Sequence, residues 1–184
     1  MPPILQIRDL QVSYYTDSGR AVALNRVNLD LNAGEKLGLV GESGSGKSTM
    51  ALAMMRMIKA PGRIESGSVT VGDVDLMQLN EEDMRNARLS RIAYIPQGAM
   101  NSLNPVMRIG DQISEALTVH DRLSRSDARA RAVELLEAVR IPDAARRARD
   151  YPHQLSGGMR QRAMIAVALA CHPPLVIEIG RAHV

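Results

Sequence analysis

Residues Leu155 to Arg162 read LSGGMRQR and run directly into the longest clean apolar run of the chain, the nine residues Ala163 to Cys171. A serine ahead of an apolar segment is a helix start: its hydroxyl accepts one of the N–H groups that the first turn leaves unpaired. The same end carries the positive pole of the helix dipole. Two glycines, Gly157 and Gly158, leave the backbone open to close approach by an anion. The stretch is therefore expected to present free N–H groups where a loop becomes a helix.

A second anion-binding stretch lies upstream. Gly41 to Thr49 reads GESGSGKST, which fits the G-x-x-x-x-G-K-[ST] phosphate loop, and it sits between an apolar run (Lys36 to Val40) and a helical one (Lys47 to Ile58). In such a loop the backbone N–H groups from about Ser43 to Ser48, through Gly44, Ser45 and Gly46, would wrap the phosphates of a nucleoside triphosphate such as ATP. Lys47 would reach the β and γ oxygens, Ser48 would place its hydroxyl on Mg²⁺, and Thr49 would support the α-phosphate region.

Composition narrows the class. The 184 residues suit one domain, or a domain with a subdomain, and 45% hydrophobic content can build a core. A net charge of +3 makes no strong case for nucleic acid or an anionic membrane surface. Lysine occurs only at Lys36, Lys47 and Lys59, so one of three lies inside the glycine-rich loop. The single cysteine, Cys171, excludes a disulfide framework and points to a reducing, cytosolic setting. The N-terminus lacks the charge and apolar pattern of a signal peptide. An apolar run of nine residues is too short to cross a bilayer, which takes about 20.

Along the chain, Ile4 to Tyr15 alternates as a strand, and Ala21 to Leu31 forms one or two more. Lys36 to Val40 is expected to be a short buried parallel strand. The Lys47 to Ile58 helix is apolar nearly all round, and its methionines read as core. Ile64 to Leu79 returns to strands, with Asp73 and Asp75 in a turn between them. Asn80 caps a short helix. Ile92 to Ile95 is a strand, and helices follow at Ile109 to Val119, from Ser126, and after Pro142. The histidines show no metal-ligand spacing.

Together these motifs resemble the ATP-binding cassette (ABC) ATPases, in which LSGG is the signature motif. The resemblance implies an α/β fold: a P-loop NTPase with a RecA-like core, an antiparallel β-subdomain and a helical ABC subdomain, incomplete at its C-terminus. The nucleotide-binding domain would cover 1–177, with the helical part at about 98–153. ATP and Mg²⁺ would be held by the phosphate loop. Ser156, Gly157 and Gly158 would bind the γ-phosphate of an ATP held by a second ABC ATPase subunit, the same or a paralogue. Gln97, in IPQGAMNSLNP, resembles the Q-loop glutamine, which touches the metal or attacking water; with Lys47 it would form the catalytic pair. Tyr14 fits the family's Val-x-Tyr position, where an aromatic ring stacks on adenine. PQGAMNSLNPVMRIGDQI and YPHQLSGGMRQR look like the dipeptide/oligopeptide/nickel importers, although Gly98 and Ala99 depart from the usual PQDPMTSLNP text. The implied protein is a peripheral subunit on the cytoplasmic face of the membrane. It would dock on permease subunits, work indirectly with a solute-binding protein, and bind no nucleic acid. The alternative is a non-transport ABC ATPase acting on nucleic acid. Such proteins usually insert coiled coils or zinc modules between the Q-loop and the signature, and the segment from Gln97 to Ser156 has neither heptads nor cysteine clusters. A P-loop kinase or GTPase would leave LSGGMRQR unexplained.

The family pattern breaks after Leu175-Val176-Ile177. Family members continue close to Ala-Asp-Glu-Pro, whereas this chain reads EIGRAHV from Glu178 to Val184. Glu178 stands one place before the expected aspartate, and His183 comes too soon to be the switch histidine. Codons for EIGRAHV resemble a sequencing-library adapter read in frame, so 178–184 is expected to be a non-native tail. A fragment without the metal-ordering aspartate and the general base, worth about 10²–10⁴-fold, is expected to hydrolyse ATP poorly.

Overall fold

Alternating strands and a helix-starting glycine loop lead to two compact units, residues 1–92 and 93–181, in the computed structural model. It describes residues 3–96, 98 and 102–180. In the first unit, β1 (Leu5–Thr16) pairs antiparallel with β2 (Gly19–Leu31) and with β3 (Gly62–Val71), and β4 (Val74–Asp75) closes the order β2-β1-β3-β4. Burial along β1 starts on Leu5 and Ile7 and continues on Leu10 and Val12. The phase changes because the register shifts between Ile7 and Leu10, where Asp9 takes a left-handed φ of 47°. One extra residue in a strand moves every later side chain to the other face. Further register shifts follow at Leu10/Val12 and Val12/Ser13, so Val12 and Ser13 are both buried; beyond them Tyr14 is half-buried, whereas Tyr15 is 43% exposed. Ile7, Leu10, Val12, Val69, Val71, Leu76 and Met84 have almost no exposed surface. Each such side chain contributes about 1.5–3 kcal/mol of burial.

Helix α1 (Lys47–Met54) buries Met50, Ala51, Ala53 and Met54. It stops short of Ile58. Arg56 N–H donates to Ala53 O at 2.9 Å and Met57 N–H to Leu52 O at 2.8 Å, while Arg56 takes a φ of 49°. This is the Schellman ending, usually built on glycine at the left-handed position. Here the Arg56 guanidinium donates to the carbonyls of Leu76 and Leu79 and pairs with Glu81 at 2.6 Å, which offsets the backbone strain. Met57 beyond this ending is 39% exposed, so it does not join the buried methionines. Asp75 accepts from Val69 N–H and Met77 N–H, a turn role rather than a metal one. Asn80 caps α2 (Glu81–Ser90) by accepting from Asp83 N–H at 2.8 Å.

One expectation fails. Lys36 to Val40 is not a strand: Leu37, Leu39 and Val40 are 50%, 51% and 82% exposed. A buried parallel strand needs neighbours that take its N–H and C=O groups and cover its faces. No described residue pairs with this segment.

In the second unit, β5 (Ile92–Ile95) pairs with β6 (Leu175–Glu178). Helix α3 (Ile109–His120) buries Ile109, Ile113 and Leu117 at four-residue steps. Helix α4 (Arg125–Ala138), capped by Ser124, buries Ala128, Ala132, Leu135 and Leu136. A short α5 (Ala144–Arg147) and a 3₁₀ turn (Pro152–Gln154) lead to α6 (Gly157–Leu169), which packs against α3 and α4 and buries Met159, Ala163, Ala166 and Ala168. Among the described residues no helix is long and apolar enough to cross a membrane.

Cys171 is buried beyond the end of α6, and burial, helped by Asp121, pushes its thiol up to about 11. The thiolate is the reactive form. Cys171 is therefore expected to resist iodoacetamide at pH 8 in the folded chain and to react fully in denaturant. Mass spectrometry of the alkylated protein checks this; rapid labelling of the folded chain contradicts the packing.

Candidate functional site

The phosphate loop leads straight into α1. Its last glycine, Gly46, is the helix N-cap, with φ 90° and ψ 2°. Two constraints meet there. The left-handed φ is one that side chains rarely adopt, and an added Cβ would lie 2.8 Å from Ala23 O and 3.1 Å from Leu24 Cδ2 on β2. The start of α1 is thus seated on the middle of β2. Met50 N–H donates to Gly46 O at 2.8 Å, the first bond of the helix. The N–H groups of Gly46, Lys47, Ser48 and Thr49 make no hydrogen bond to any described residue. Those are the orphan donors of a helix N-terminus, and they form a cradle suited to phosphate oxygens.

Lys47 Nζ lies over the same loop. It donates to Gly41 O at 2.7 Å, to Glu42 O at 2.6 Å and to Ser45 Oγ at 3.2 Å. All three acceptors are neutral, so the ammonium keeps its full charge for an anion at the cradle. Ser48 is exposed next to it. A hydroxyl beside phosphate oxygens fits a hard cation such as Mg²⁺, which is held by few protein ligands and several waters. Among the described residues no cluster of three histidine, cysteine, aspartate or glutamate side chains could hold a metal alone.

Tyr14 belongs to the same unit. It lies opposite Ala21 on β2 and Gly62 on β3. Ala21 is two residues from Ala23, where Gly46 is seated, a step of about 7 Å along a strand. One strand, β2, therefore pairs with Tyr14 at Ala21 and seats the start of α1 at Ala23 and Leu24. Tyr15 on the other face donates its hydroxyl to Glu65 at 2.7 Å, and Arg63 stacks 5.4 Å over its ring. The bond to Glu65, then burial, raises the Tyr15 hydroxyl above its ordinary value.

The second helix start lies in the second unit. Ser156 is the N-cap of α6, with extended φ and ψ of −63° and 162°, and its Oγ accepts from Met159 N–H at 3.3 Å. Gly157 and Gly158 N–H groups have no partner among the described residues. Leu155 and Met159 are buried on either side, so the glycines are held at the surface by a packed flank. Ahead of them, Tyr151 stacks on His153 at 5.7 Å with 9° between the rings, and Arg108 lies 5.8 Å over Tyr151. Gln154 accepts from Tyr151 N–H at 2.8 Å and tightens the approach to the helix. Gln97 lies outside the described residues.

Sequence reasoning overlooked the neighbours that hold these groups. Ala23 and Leu24 carry no motif, and Ile58 in the linker after α1 and Gly62 at the start of β3 have no distinctive text. The only available signal was the run of turn residues Ala60-Pro61-Gly62, which marks a reversal and not its contacts.

Residues 24–178 match the ABC transporter family. The oligopeptide transport ATP-binding protein OppD of Escherichia coli is 46% identical over 174 residues, which cover 95% of this chain and 51% of that protein. OppD of Bacillus subtilis is 46% identical over 175 residues, covering 95% and 49%. The chain thus spans about half the length of these relatives. A dimeric ATP-binding cassette solved in a post-hydrolysis state with ADP and Pi superposes with a TM-score of 0.81 at 29% identity, over 95% of this chain and 72% of that one. That agreement bears out a P-loop NTPase fold of the cassette type. Since the family match takes in both the phosphate loop and the LSGG helix start, the chain belongs to the ABC transporter family.

Proposed function

We propose that the chain is the ATP-binding part of an importer for peptides, in which ATP binding and hydrolysis drive membrane subunits. The observation that carries this reading is the pairing, on one chain, of two helix starts with unbonded N–H groups: the Gly41 to Thr49 loop and the Ser156 cap. The oligopeptide transport relatives support peptide as the cargo, and the dimeric cassette supports a second ATPase subunit as partner.

In this reading the cradle at Gly46 to Thr49 and the Lys47 ammonium hold the β and γ phosphates, and Tyr14 stacks on the adenine. Mg²⁺ on Ser48 and Gln97 would neutralise charge that develops on the phosphate oxygens. Ser156, Gly157 and Gly158 offer their N–H groups to the γ-phosphate held by the partner cassette, so closure of two subunits completes each site. The helical segment at about 98–153 docks on permease subunits at the cytoplasmic face of the membrane, with a solute-binding protein delivering the peptide outside.

The test is co-purification. A tagged chain expressed with the membrane proteins of its own gene cluster is expected to bring down permease subunits. Deletion of its gene is expected to abolish uptake of a labelled oligopeptide. Normal peptide uptake in the deletion strain would overturn the reading.

A further inference from the structure

The linker after α1 returns to the sheet beside Tyr14. Gly62 N–H donates to Lys59 O at 2.9 Å, closing a tight turn, and Tyr15 N–H donates to Pro61 O at 3.1 Å, fixing that turn to the end of β1. Gly62 then stands opposite Tyr14 in the ladder. A Cβ built on Gly62 would lie 2.8 Å from Tyr14 Cε1, 2.8 Å from Ile58 Cγ2 and 3.1 Å from Lys59 O. The first two distances are shorter than real Cβ contacts, so something must shift. Lys59 O is backbone tied into the turn. The Tyr14 ring is half-buried at the end of the strand and turns about two single bonds, so it is the group that yields. Gly62 itself does not need a left-handed φ. Its lack of a side chain is required by space alone.

We propose that Gly62 and Ile58 are positioning residues that set the angle of the Tyr14 ring and thereby the adenine subsite. This rests on the reading that Tyr14 stacks on adenine. The same linker starts from α1, whose first turn is the phosphate cradle. One covalent path of short length therefore connects the group that binds phosphate with the slot that holds the ring. Ile58 forms one wall of the slot and the Gly62 backbone the other. A methyl group at position 62 tips the ring out of the plane a base needs, and leaves the cradle at Gly46 unchanged.

The experiment compares ATP with inorganic tripolyphosphate, which has the phosphates and no base, on the full chain and its variants. Gly62→Ala is expected to weaken ATP binding about threefold to tenfold, the range that an aromatic stack is worth, and to leave tripolyphosphate binding unchanged. The double variant Gly62→Ala with Tyr14→Ala is expected to be no weaker than Tyr14→Ala alone, because both remove one contact. Adding Ile58→Ala to Gly62→Ala removes only the contact with Ile58 Cγ2 and leaves the methyl against Tyr14 Cε1, so it is expected not to restore ATP binding.

If Tyr14→Ala weakens ATP binding and Gly62→Ala does not, the positioning role is wrong and the adenine platform stands. If Tyr14→Ala leaves ATP binding intact, the platform reading falls and takes this inference with it. Equal losses for ATP and tripolyphosphate in Gly62→Ala mean a general distortion of the loop and also overturn it. Should Gly62→Ala fail to fold, Ile58→Ala alone decides: about a twofold loss for ATP and none for tripolyphosphate is expected, and no change in either overturns the proposal.

Discussion

Replacing Lys47 with alanine is expected to weaken ATP binding by about tenfold to a hundredfold while the fold survives. A hydrogen bond to a charged group is worth about 1.5–3 kcal/mol, and each 1.4 kcal/mol is about tenfold in affinity. The ammonium is held by Gly41 O, Glu42 O and Ser45 Oγ and, among the described residues, by no carboxylate. Its charge is therefore available to phosphate oxygens at the neighbouring N–H cradle. The stability cost is small by comparison. Gly41 and Glu42 are exposed, so their carbonyls pass to water when the lysine is removed. A loss of about 1 kcal/mol lowers the melting temperature by about 2–4 °C in a chain of this size. Lys47→Arg is not expected to rescue binding. A planar fork of donors does not fit where one compact ammonium reaches two carbonyls of adjacent residues and a hydroxyl. Titration of ATP into the parent and both variants, with thermal melts alongside, makes the check. Lys47→Ala binding ATP within twofold of the parent would contradict the assignment of the loop.

Much of the site was readable because its parts obey local rules. A serine before two glycines and an apolar run is a helix start whatever surrounds it, and Ser156 caps α6 as that rule requires. Asn80 does the same for α2. Tyr14 and Tyr15 fall on opposite faces because neighbours in a strand must. What could not be read depends on distant partners or broken local rules. The apolar text of Leu37 to Val40 describes a strand only if other strands flank it, and no described residue does. The end of α1 at Arg56 has neither glycine nor proline to mark it; carbonyls of Leu76 and Leu79, twenty or more residues away, hold the left-handed arginine in place. The register shifts of β1, at Ile7/Leu10, Leu10/Val12 and Val12/Ser13, together set the burial of the two tyrosines, yet its twelve residues carry no glycine to announce them. The contact between Gly62 and Tyr14 exists only once β1 and β3 are paired. Motifs therefore locate the two helix starts, and the folded sheet supplies their unmarked neighbours, Ala23 and Leu24 beside Gly46 and Gly62 beside Tyr14.

Gly158→Asp separates stability from assembly. A Cβ at Gly158 would meet nothing within 4 Å, and its φ lies outside the left-handed region. The aspartate therefore fits without strain in the first turn of α6. There a carboxylate is favoured by the helix dipole, by about 0.3–1 kcal/mol, and replacing glycine in a helix adds about 0.5–1 kcal/mol. The variant is expected to melt at the parent's temperature or a few degrees above it. Its own phosphate loop is untouched, so ATP binding to the single chain is expected to stay within about twofold, the scatter of an exposed charge change. Assembly should fail. The new carboxylate sits where Gly157 and Gly158 N–H groups would receive the γ-phosphate of the partner's ATP, and two like charges a few ångströms apart in a closed, water-poor interface cost several kcal/mol. ATP-driven association of two cassettes is then expected to fall by at least about a hundredfold, or about 2.7 kcal/mol. Sedimentation with ATP at several protein concentrations, for parent and variant, measures it. A variant that is at least as stable as the parent, binds ATP equally well and still associates as the parent does would remove the LSGG loop from the nucleotide sandwich. A stable, ATP-binding variant that stays monomeric would fix it there, because neither folding nor the chain's own site could then explain the loss.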